Sequence, residues 1–236
     1  DLEVSNNDEM LAYSLDLKGS EYFTIYIRRI LDNKIVSEEI KETSGNITWS
    51  MDDKFIFYSK LDKFHRPRQI YRHKIGTPIK NDQLIYDEKD EGFTCGIGVS
   101  SDEKYYFIST SDHTTSEIYF FSISEEYPKP KLFKKRQKEI KYSLDSWKGN
   151  FYIHTNQDAE DFKICKCMHE NINEWKEYIP ATNGVLIGGF TLLNDWMVRS
   201  EVRDALSKLY VRNLSTNKEE ELIVSNEKVI TPGSSL

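Results

Sequence analysis

The stretch "SSDEKYYFISTSDHTTSEIYFFSI" (Ser100 to Ile123) decides the fold. It begins with a polar turn at Asp102 and continues into two runs rich in aromatic and β-branched residues, which are separated by a second polar turn. Residues of these types, apolar at alternate positions, suit a pleated and half-buried strand. Asp, Asn and Gly in short turns accept the left-handed backbone that tight hairpins require. The stretch therefore predicts antiparallel strands joined by tight turns.

The same pattern recurs five times along the chain. The turns lie at Asp8, Asp52, Asp102, Gly149 and Asn194, at intervals of 44, 50, 47 and 45 residues. Each unit continues with a clearly alternating third run, such as "EIYFFSI", and a more polar fourth run, predicted at "IVSEEI", "QLIYDE", "KLFKK", "WKEYIP" and "EELIV". Charge on an outer strand discourages pairing with other chains. A four-stranded repeat of this length is typical of a propeller blade.

The predicted fold is thus all-β, a β-propeller of about five four-stranded blades. The blades are predicted at 1–45, 46–92, 93–139, 140–184 and 185–226, with the start of a further blade at 227–236. Helical periodicity is not found over a convincing length. Because the chain starts at Asp1 without a methionine and stops inside a predicted strand, we expect it to be part of a larger polypeptide.

Composition narrows the class of protein. The chain has 236 residues, of which 38% are hydrophobic, 30% charged and 13% aromatic, as expected for one soluble domain with a large polar surface. No apolar run reaches the roughly 18 residues of a membrane span, and no leader segment opens the chain, so we expect a cytoplasmic protein without a membrane partner. The three cysteines, Cys95, Cys165 and Cys167, are expected to be reduced.

The charge of the chain bears on its partners. A net charge of −7 and a pI near 5.4 argue against nucleic acid, whose phosphates require a basic face. A cationic partner would be steered towards such a surface, although the same charge also serves solubility.

Catalytic and metal-binding motifs are missing from the sequence. No Gly-x-Ser-x-Gly turn occurs, and adjacent acids on a strand point to opposite faces, so they do not converge on one substrate. Isolated histidines on strand ends and loops are expected to be solvated; they are His65, His73, His113, His154 and His169. No metal site or cofactor is predicted. From the residues alone, the chain is a non-catalytic propeller that binds or shields a partner.

Seven stretches, in order along the chain, resemble the oligopeptidase B (protease II) group of the prolyl oligopeptidase family of serine peptidases. They are "YSLDLKGSEYFTI" (13–25), "TSGNITWSMDDKFIFYSK" (43–60), "RPRQIYRHKIGTP" (66–78), "LIYDEKDEGF" (84–93), "TTSEIYFFS" (114–122), "KYSLDSWKGNFYIHTN" (141–156) and "LIGGFTLLNDWMV" (186–198). The Gly-His and Trp-Asp signatures of the competing WD-repeat class are absent from the sequence.

The resemblance implies a seven-bladed propeller that covers an α/β-hydrolase domain carrying the Ser-Asp-His triad and the carboxylates that select Arg or Lys before the cut. This chain would supply middle and later blades, with no hydrolase domain and no catalytic residue of its own. The implied function is a gate that admits short basic peptides and excludes folded proteins. The implied partner is the hydrolase domain of the same polypeptide, and no cofactor is implied.

The resemblance and the charge pattern together nominate six inter-domain or gating residues. Glu21 matches an acid that pairs across the domain interface, and Ser44 matches a rim position at which the family places a hydrophobic contact. Arg66 and Arg68 either contact the hydrolase domain or decorate a blade loop. Glu88 and Asp90, in the acidic connector "YDEKDEGF", either form a bend or attract basic peptides.

Two classes of function stay open on the sequence. The first is the gate of an oligopeptidase B-like serine peptidase. The second is a stand-alone, non-catalytic propeller that serves as a protein- or peptide-binding scaffold. A carbohydrate-active propeller is a weaker third, because it would need converging carboxylates that the sequence does not place.

Overall fold

The computed structural model describes residues 1–223, and the prediction at 227–236 lies outside them. The chain divides into two compact units, the first formed by Asp1–Val99 with Glu103–Lys135 and the second by Ser100–Asp102 with the chain from Arg136 onwards. Every regular element among the described residues is a strand, apart from one short 3-10 turn at Ile79–Asn81. The all-β prediction is therefore confirmed.

The first unit begins with a seven-stranded antiparallel sheet whose strands follow one another in chain order. They are β1 (Leu2–Val4), β2 (Met10–Leu15), β3 (Phe23–Arg29), β4 (Ile40–Trp49), β5 (Phe55–Leu61), β6 (Pro67–Lys74) and β7 (Gln83–Asp87). Alternate residues of β2 and β3 are fully buried, as in Ala12, Ile25 and Ile27, because successive side chains of a strand point to opposite faces.

Strand β4 belongs to two groups of strands. Its first part pairs with β3 through Ile40 and Thr43, and its last part pairs with β5 through Ile47 to Trp49. Between them Gly45 has a φ of 90°, and a Cβ there would lie 2.9 Å from the Phe23 ring. The strand can therefore change partners only because this position has no side chain. The bend falls at the predicted boundary between the first two blades.

One predicted outer strand differs in the structure. The stretch "IVSEEI" contributes one isolated bridge, between Ile35 and Arg28, and regular pairing starts only at Ile40. Beside Ser37, the Val36 amide donates to the Ile27 carbonyl of β3 at 3.0 Å, and the Ser37 hydroxyl lies 3.2 Å from His73 of β6. The predicted strand thus pairs only irregularly with β3, and a side-chain contact to β6 supplements that pairing.

The unit continues with a four-stranded sheet in the order β11-β10-β9-β8. Its strands are β8 (Thr94–Val99), β9 (Tyr105–Ser111), β10 (Ser116–Ser122) and β11 (Lys131–Lys134). The opening quotation thus contains β9 and β10, which pair over their whole length.

The leading strands of successive groups lie side by side in this unit. The Trp49 indole nitrogen donates a hydrogen bond to the Glu3 carbonyl at 3.1 Å, and the Thr48 hydroxyl donates one to the Ile97 carbonyl at 3.2 Å. These bonds join β4 to β1 on one side and to β8 on the other. Apolar clusters fill the space between the groups, one around Ile25 and Ile56 and another around Phe57 and Ile108.

The first two of the polar turns that mark the repeat, at Asp8 and Asp52, have the same construction. The Ser50 hydroxyl donates to Asp52 at 2.7 Å and accepts the Phe55 amide at 2.9 Å. Ser5 makes the equivalent bonds to Asn7 at 2.8 Å and to the Met10 amide at 2.9 Å. The serine hydroxyl therefore bridges the two sides of the turn and fixes its shape. The shape of the turn in turn sets the register of the two strands that it joins.

The second unit contains two four-stranded antiparallel sheets. Their strands are β12 (Tyr142–Trp147), β13 (Asn150–Thr155), β14 (Lys163–Met168), β15 (Lys176–Ile179), β16 (Val185–Leu193), β17 (Trp196–Arg203), β18 (Leu206–Asn213) and β19 (Glu219–Glu221). Ile164, Ile187 and Met197 are buried in the core that the two sheets share. Within the described part of the chain, no helix has the length and apolar character needed to cross a membrane.

Candidate functional site

The candidate site is built from loops at one end of the strands in the first unit. The β2–β3 loop, the β5–β6 loop and the connector from β7 to β8 all lie at this end, because antiparallel strands return the chain there at every second turn. The Tyr22 hydroxyl donates to the Asp62 carbonyl at 3.3 Å, and its ring lies 4.1 Å from the ring of His65. The first two loops are therefore in contact.

Asp62 fixes the shape of the β5–β6 loop. Its carboxylate accepts the amides of Phe64 at 2.7 Å and Arg66 at 3.1 Å, while His65 takes a left-handed φ of 60°. Desolvation alone would raise the pKa of Asp62, but the backbone bonds from Arg66 and Phe64 outweigh it and hold the pKa below its usual value. The charged carboxylate therefore organises the loop from which the two arginines project.

Both candidate arginines bind the acidic connector through its backbone. The Arg68 guanidinium donates to the Glu88 carbonyl from Nε at 3.0 Å and from Nη2 at 2.6 Å. Arg66 donates to the Glu91 carbonyl. The structure thus brings the arginine loop and the acidic connector together, although the two segments are about two dozen residues apart. We call the following residues the rim cluster: Tyr22, Asp62, His65, Arg66, Arg68, Glu88, Asp90 and Glu91.

Glu88 is buried in the rim cluster, with only 3% of its surface exposed. Its carboxylate accepts the hydroxyls of Tyr86 at 2.9 Å and Thr110 at 2.6 Å, and it also accepts the Asp90 amide at 2.9 Å. A buried carboxylate with several donors shapes the backbone around it. Glu88 therefore anchors the bend of the connector, whereas Asp90 is exposed and accepts the Gly92 amide at 2.9 Å.

Glu21 and Ser44 lie in other segments. Glu21 is exposed in the β2–β3 loop with a left-handed φ of 61°, and its amide donates to Asp16 at 2.6 Å. Ser44 is half-buried at the bend of β4, where its hydroxyl accepts the Asn46 amide at 3.5 Å. Among residues 1–223, no hydrogen bond joins either side chain to Arg66 or Arg68. The structure thus assembles four of the six candidates into one network and leaves these two in separate loops.

The sequence missed a constellation formed by Ser37, His73 and Asp82. His73 Nδ1 lies 2.7 Å from Asp82 Oδ1, and its Nε2 lies 3.2 Å from the Ser37 hydroxyl. The Tyr58 hydroxyl donates to the other oxygen of Asp82 at 2.9 Å. This connectivity is that of an acyl-transfer triad. Its environment is different, since the His73 ring is 0% exposed and the Ser37 hydroxyl already accepts the Gly76 amide at 2.9 Å.

These contacts make the constellation a structural clasp. A completely buried imidazole cannot exchange a proton with a substrate, so the three residues tie the loop before β4 to β6. The prediction of solvated histidines is wrong for His73, which is buried, and for His154 and His169, which are both half-buried. The burial of His73 could have been inferred from the sequence of β6. His73 lies two positions after Tyr71, so the two side chains share one face of the strand, and Tyr71 packs against the core.

Other reactive groups are also withdrawn from solvent. The three thiols are free and buried, and desolvation raises the pKa of Cys95 to about 12 and that of Cys167 to about 11. Thiols of this kind are poor nucleophiles. In the part of the chain that is described, no group of three His, Cys, Asp or Glu side chains is arranged to hold a metal ion.

Comparison with known families gives one match that covers the whole sequence. The sequence model described as "Prolyl oligopeptidase, N-terminal beta-propeller domain" matches residues 1–236. Among curated proteins, "Protease 2" of Moraxella lacunata is 27% identical over 97% of this chain and 36% of its own length. "Dipeptidyl aminopeptidase BI" of Pseudoxanthomonas mexicana is 29% identical over 89% of this chain and 30% of its own length. The chain thus spans about a third of these relatives.

Solved structures agree on the fold. Oligopeptidase B from Leishmania major superposes with a TM-score of 0.90 at 19% identity, covering 96% of this chain and 34% of that one. Oligopeptidase B from Trypanosoma brucei gives a TM-score of 0.88 at 24% identity, covering 96% and 33%. The predicted propeller fold and the predicted resemblance are both confirmed by these matches.

Proposed function

This chain belongs to the family of prolyl oligopeptidase N-terminal β-propeller domains, and from that premise we propose that it is the cap of a serine oligopeptidase. The catalytic triad would be carried by another domain of the same polypeptide, since the chain spans about a third of the curated relatives it matches. The observation that carries the proposal is the family match over the entire sequence.

The cap acts as a filter. Short peptides reach the active site, and folded proteins are rejected by size. Closure of the cap over the catalytic domain excludes water and completes the site, as lids do in other enzymes. The excess of acidic residues on this chain favours basic peptides, which fits cleavage after Arg or Lys.

The rim cluster is the surface that we assign to the catalytic domain. Its loops are held by hydrogen bonds that the Asp62 and Glu88 carboxylates accept and that the Arg68 guanidinium donates, so that the surface is pre-organised. The neighbouring Glu21 has a backbone fixed by Asp16 and an exposed side chain. We assign to Glu21 a charge pair that keeps the closed cap in register with the catalytic domain.

The test compares the longest natural polypeptide that contains this chain with the 236-residue chain alone. A fluorogenic dipeptide substrate with Arg at the cut is assayed with both, with and without a covalent serine-directed inhibitor. We expect hydrolysis by the long form that the inhibitor abolishes, and none by the short form. No hydrolysis by either form would contradict the proposal and favour a binding scaffold.

A matched pair of variants in the long form tests the role of Glu21. Glu21→Gln removes a charge from an exposed turn residue with a φ of 61°, and Glu103→Gln does the same at a φ of 53° at the other end of the strands. We expect kcat/KM to fall about tenfold for Glu21→Gln and to be unchanged for Glu103→Gln. Equal effects of the two variants would remove Glu21 from the interface.

We also propose that the protein is located in the cytoplasm. A cytoplasmic location is supported by three cysteines that are buried and free, since secreted domains usually pair theirs. Fractionation of cells followed by detection of the long polypeptide tests it. Recovery in a secreted or membrane fraction would contradict it.

A further inference from the structure

A cavity of about 210 Å³ lies in the second unit beside β14 and β15. It is lined by residues of these two strands, of the loop that joins them and of the start of β13. Sites for drug-sized ligands begin at about 300 Å³, so this cavity suits a molecule of only a few heavy atoms. None of its lining residues belongs to the rim cluster, and the proposed cap function assigns no role to it.

Lys166 of β14 lines this cavity and is half-buried. Its Nζ lies 5.1 Å from the centre of the Tyr152 ring and 5.5 Å from the centre of the Tyr178 ring. Within residues 1–223, no hydrogen bond or ion pair joins this nitrogen to an acceptor. The two rings attract the ammonium and exclude water from it, but neither supplies the acceptor that a carboxylate would.

A second lysine faces Lys166 across the sheet. Lys176 of β15 is its direct cross-strand partner, so the two side chains lie on one face, and both line the cavity. Like charges that lie directly opposite each other on a sheet repel. The Tyr178 ring also has the Arg212 guanidinium of β18 at 4.8 Å, so a third cation lies against the same aromatic group.

The two acids of the cavity do not pair with these lysines. Glu177 directly follows Lys176 on β15, so it points to the other face of the sheet, where it lies 3.7 Å from Lys163. Glu174 is exposed in the β14–β15 loop, and in the part of the chain that is described it forms no ion pair with Lys166 or Lys176. The positive charge of the lysine pair is therefore not offset within the cavity.

These surroundings are those of a nucleophilic lysine. Desolvation lowers the pKa of Lys166, and a lysine that is withdrawn from water beside another cation has more neutral amine than an exposed one. A neutral amine reacts with carbonyl compounds. The Nζ lone pair attacks the carbonyl carbon, and both amine hydrogens leave with the carbonyl oxygen as water, which gives a C=N bond and requires no oxidant or reductant.

We propose that Lys166 captures a small α-oxo acid as an imine and that Lys176 binds the carboxylate of the captured molecule. The size of the cavity limits the ligand to a few heavy atoms, and the unpaired charge of Lys176 favours an anionic group next to the reacting carbonyl. The imine is reversible by hydrolysis, so the site binds its ligand without consuming it.

The test uses the long natural polypeptide, incubated near neutral pH with glyoxylate and cyanoborohydride, which reduces an imine to a stable secondary amine. Peptide mapping by mass spectrometry gives the rate of modification at each lysine. Lys131, which is exposed on β11, is the internal reference. We expect Lys166 to be modified at least about threefold faster than Lys131. Acetaldehyde, which has no carboxylate, is expected to show a smaller preference for Lys166.

Lys176→Met removes the facing charge and keeps a stem of similar length. We expect it to slow the modification of Lys166 by glyoxylate about threefold or more, because both the like charge and the carboxylate partner are lost. The matched control is Lys63→Met, which removes an exposed lysine from the β5–β6 loop of the first unit and should leave the rate at Lys166 unchanged.

Three results would each overturn the proposal. They are a rate at Lys166 no higher than at Lys131, the same preference for Lys166 with acetaldehyde as with glyoxylate, and an unchanged rate in Lys176→Met. Because no peptide hydrolysis is measured, failure of the cap function leaves this test intact.

Discussion

The Nε2 atom of His73 lies 3.2 Å from the hydroxyl oxygen of Ser37, and this contact holds a loop of one strand group against a strand of the next. Ser37 is half-buried and His73 is completely buried. Because the Gly76 amide also binds the Ser37 hydroxyl at 2.9 Å, a single serine ties together two loops as well as β6. The pair therefore fixes a segment that makes only irregular pairing with β3 before Ile40.

Ser37→Ala is expected to lower the free energy of unfolding by about 1–2 kcal/mol, because it leaves the buried His73 nitrogen and the Gly76 amide without their partner. Urea denaturation followed by tryptophan fluorescence measures the change. Ser44→Ala is the control, since the Ser44 hydroxyl accepts only a long bond of 3.5 Å from Asn46, and no comparable loss is expected. Equal stability of the Ser37 variant and the unmodified chain would show that the clasp contributes nothing.

Arg199→Ala is expected to lower the free energy of unfolding by about 3–5 kcal/mol, because it leaves the buried Glu201 carboxylate without its positively charged partner. The Arg199 guanidinium is 5% exposed and donates to Glu201, also 5% exposed, at 2.7 and 2.9 Å, as well as to Glu219. Lys208→Ala is the control, since its pair with Glu221 is partly exposed and should contribute little. Chemical denaturation of the three proteins gives the comparison, and similar losses for both variants would refute the argument from burial.

Gly45→Ala is expected to cost about 2 kcal/mol or more, because a side chain there combines an unfavourable φ of 90° with a contact of 2.9 Å to Phe23. Gly19→Ala separates the two effects. Gly19 has a φ of 65° but nothing within 4 Å of an added Cβ, so only the backbone cost of about 1 kcal/mol remains. Thermal unfolding of both variants measures the difference, and a Gly45 variant as stable as the Gly19 variant would exclude the steric contribution.

His154 is expected to make the chain less stable in mild acid. Its ring stacks on Phe162 at 4.5 Å and its Nε2–H donates to the Ile187 carbonyl at 2.7 Å. Desolvation holds the pKa of His154 below its ordinary value of 6.5 in the folded state. The unfolded chain therefore binds the proton more readily, so stability falls as the pH drops below 6.5 and stops falling below the folded-state pKa.

The His154→Gln variant tests this pH dependence. Glutamine still has an amide that can donate to the Ile187 carbonyl but takes up no proton, so the decrease in unfolding free energy between pH 7 and pH 5 should be smaller than in the unmodified chain. Because the other titrating groups are common to both proteins, the difference between the two curves reports His154. Parallel curves would assign the acid sensitivity to another group.

The site was partly predictable from local sequence. The turn chemistry of "DKFHRPRQIYRH" places Arg66 and Arg68 in a loop, and the acids of "YDEKDEGF" mark a connector. The contact between the two segments was not predictable, because Arg68 donates to the backbone carbonyl of Glu88 and not to its carboxylate. Every residue has a backbone carbonyl, so the amino-acid type at position 88 does not reveal that its carbonyl accepts this hydrogen bond. The burial of Glu88 under Thr110 likewise depends on a strand two dozen residues away.

The sequence by itself determined the strands, their turns and their repeat. Side-chain alternation and turn residues act over a few positions, so their effect is already present in local order. Only the tertiary structure decided that β4 would serve two groups of strands, that Ser37 would bind His73, and that Arg72 would donate to the Glu126 carbonyl. These contacts join residues tens of positions apart, and their geometry is set by how whole sheets pack against one another.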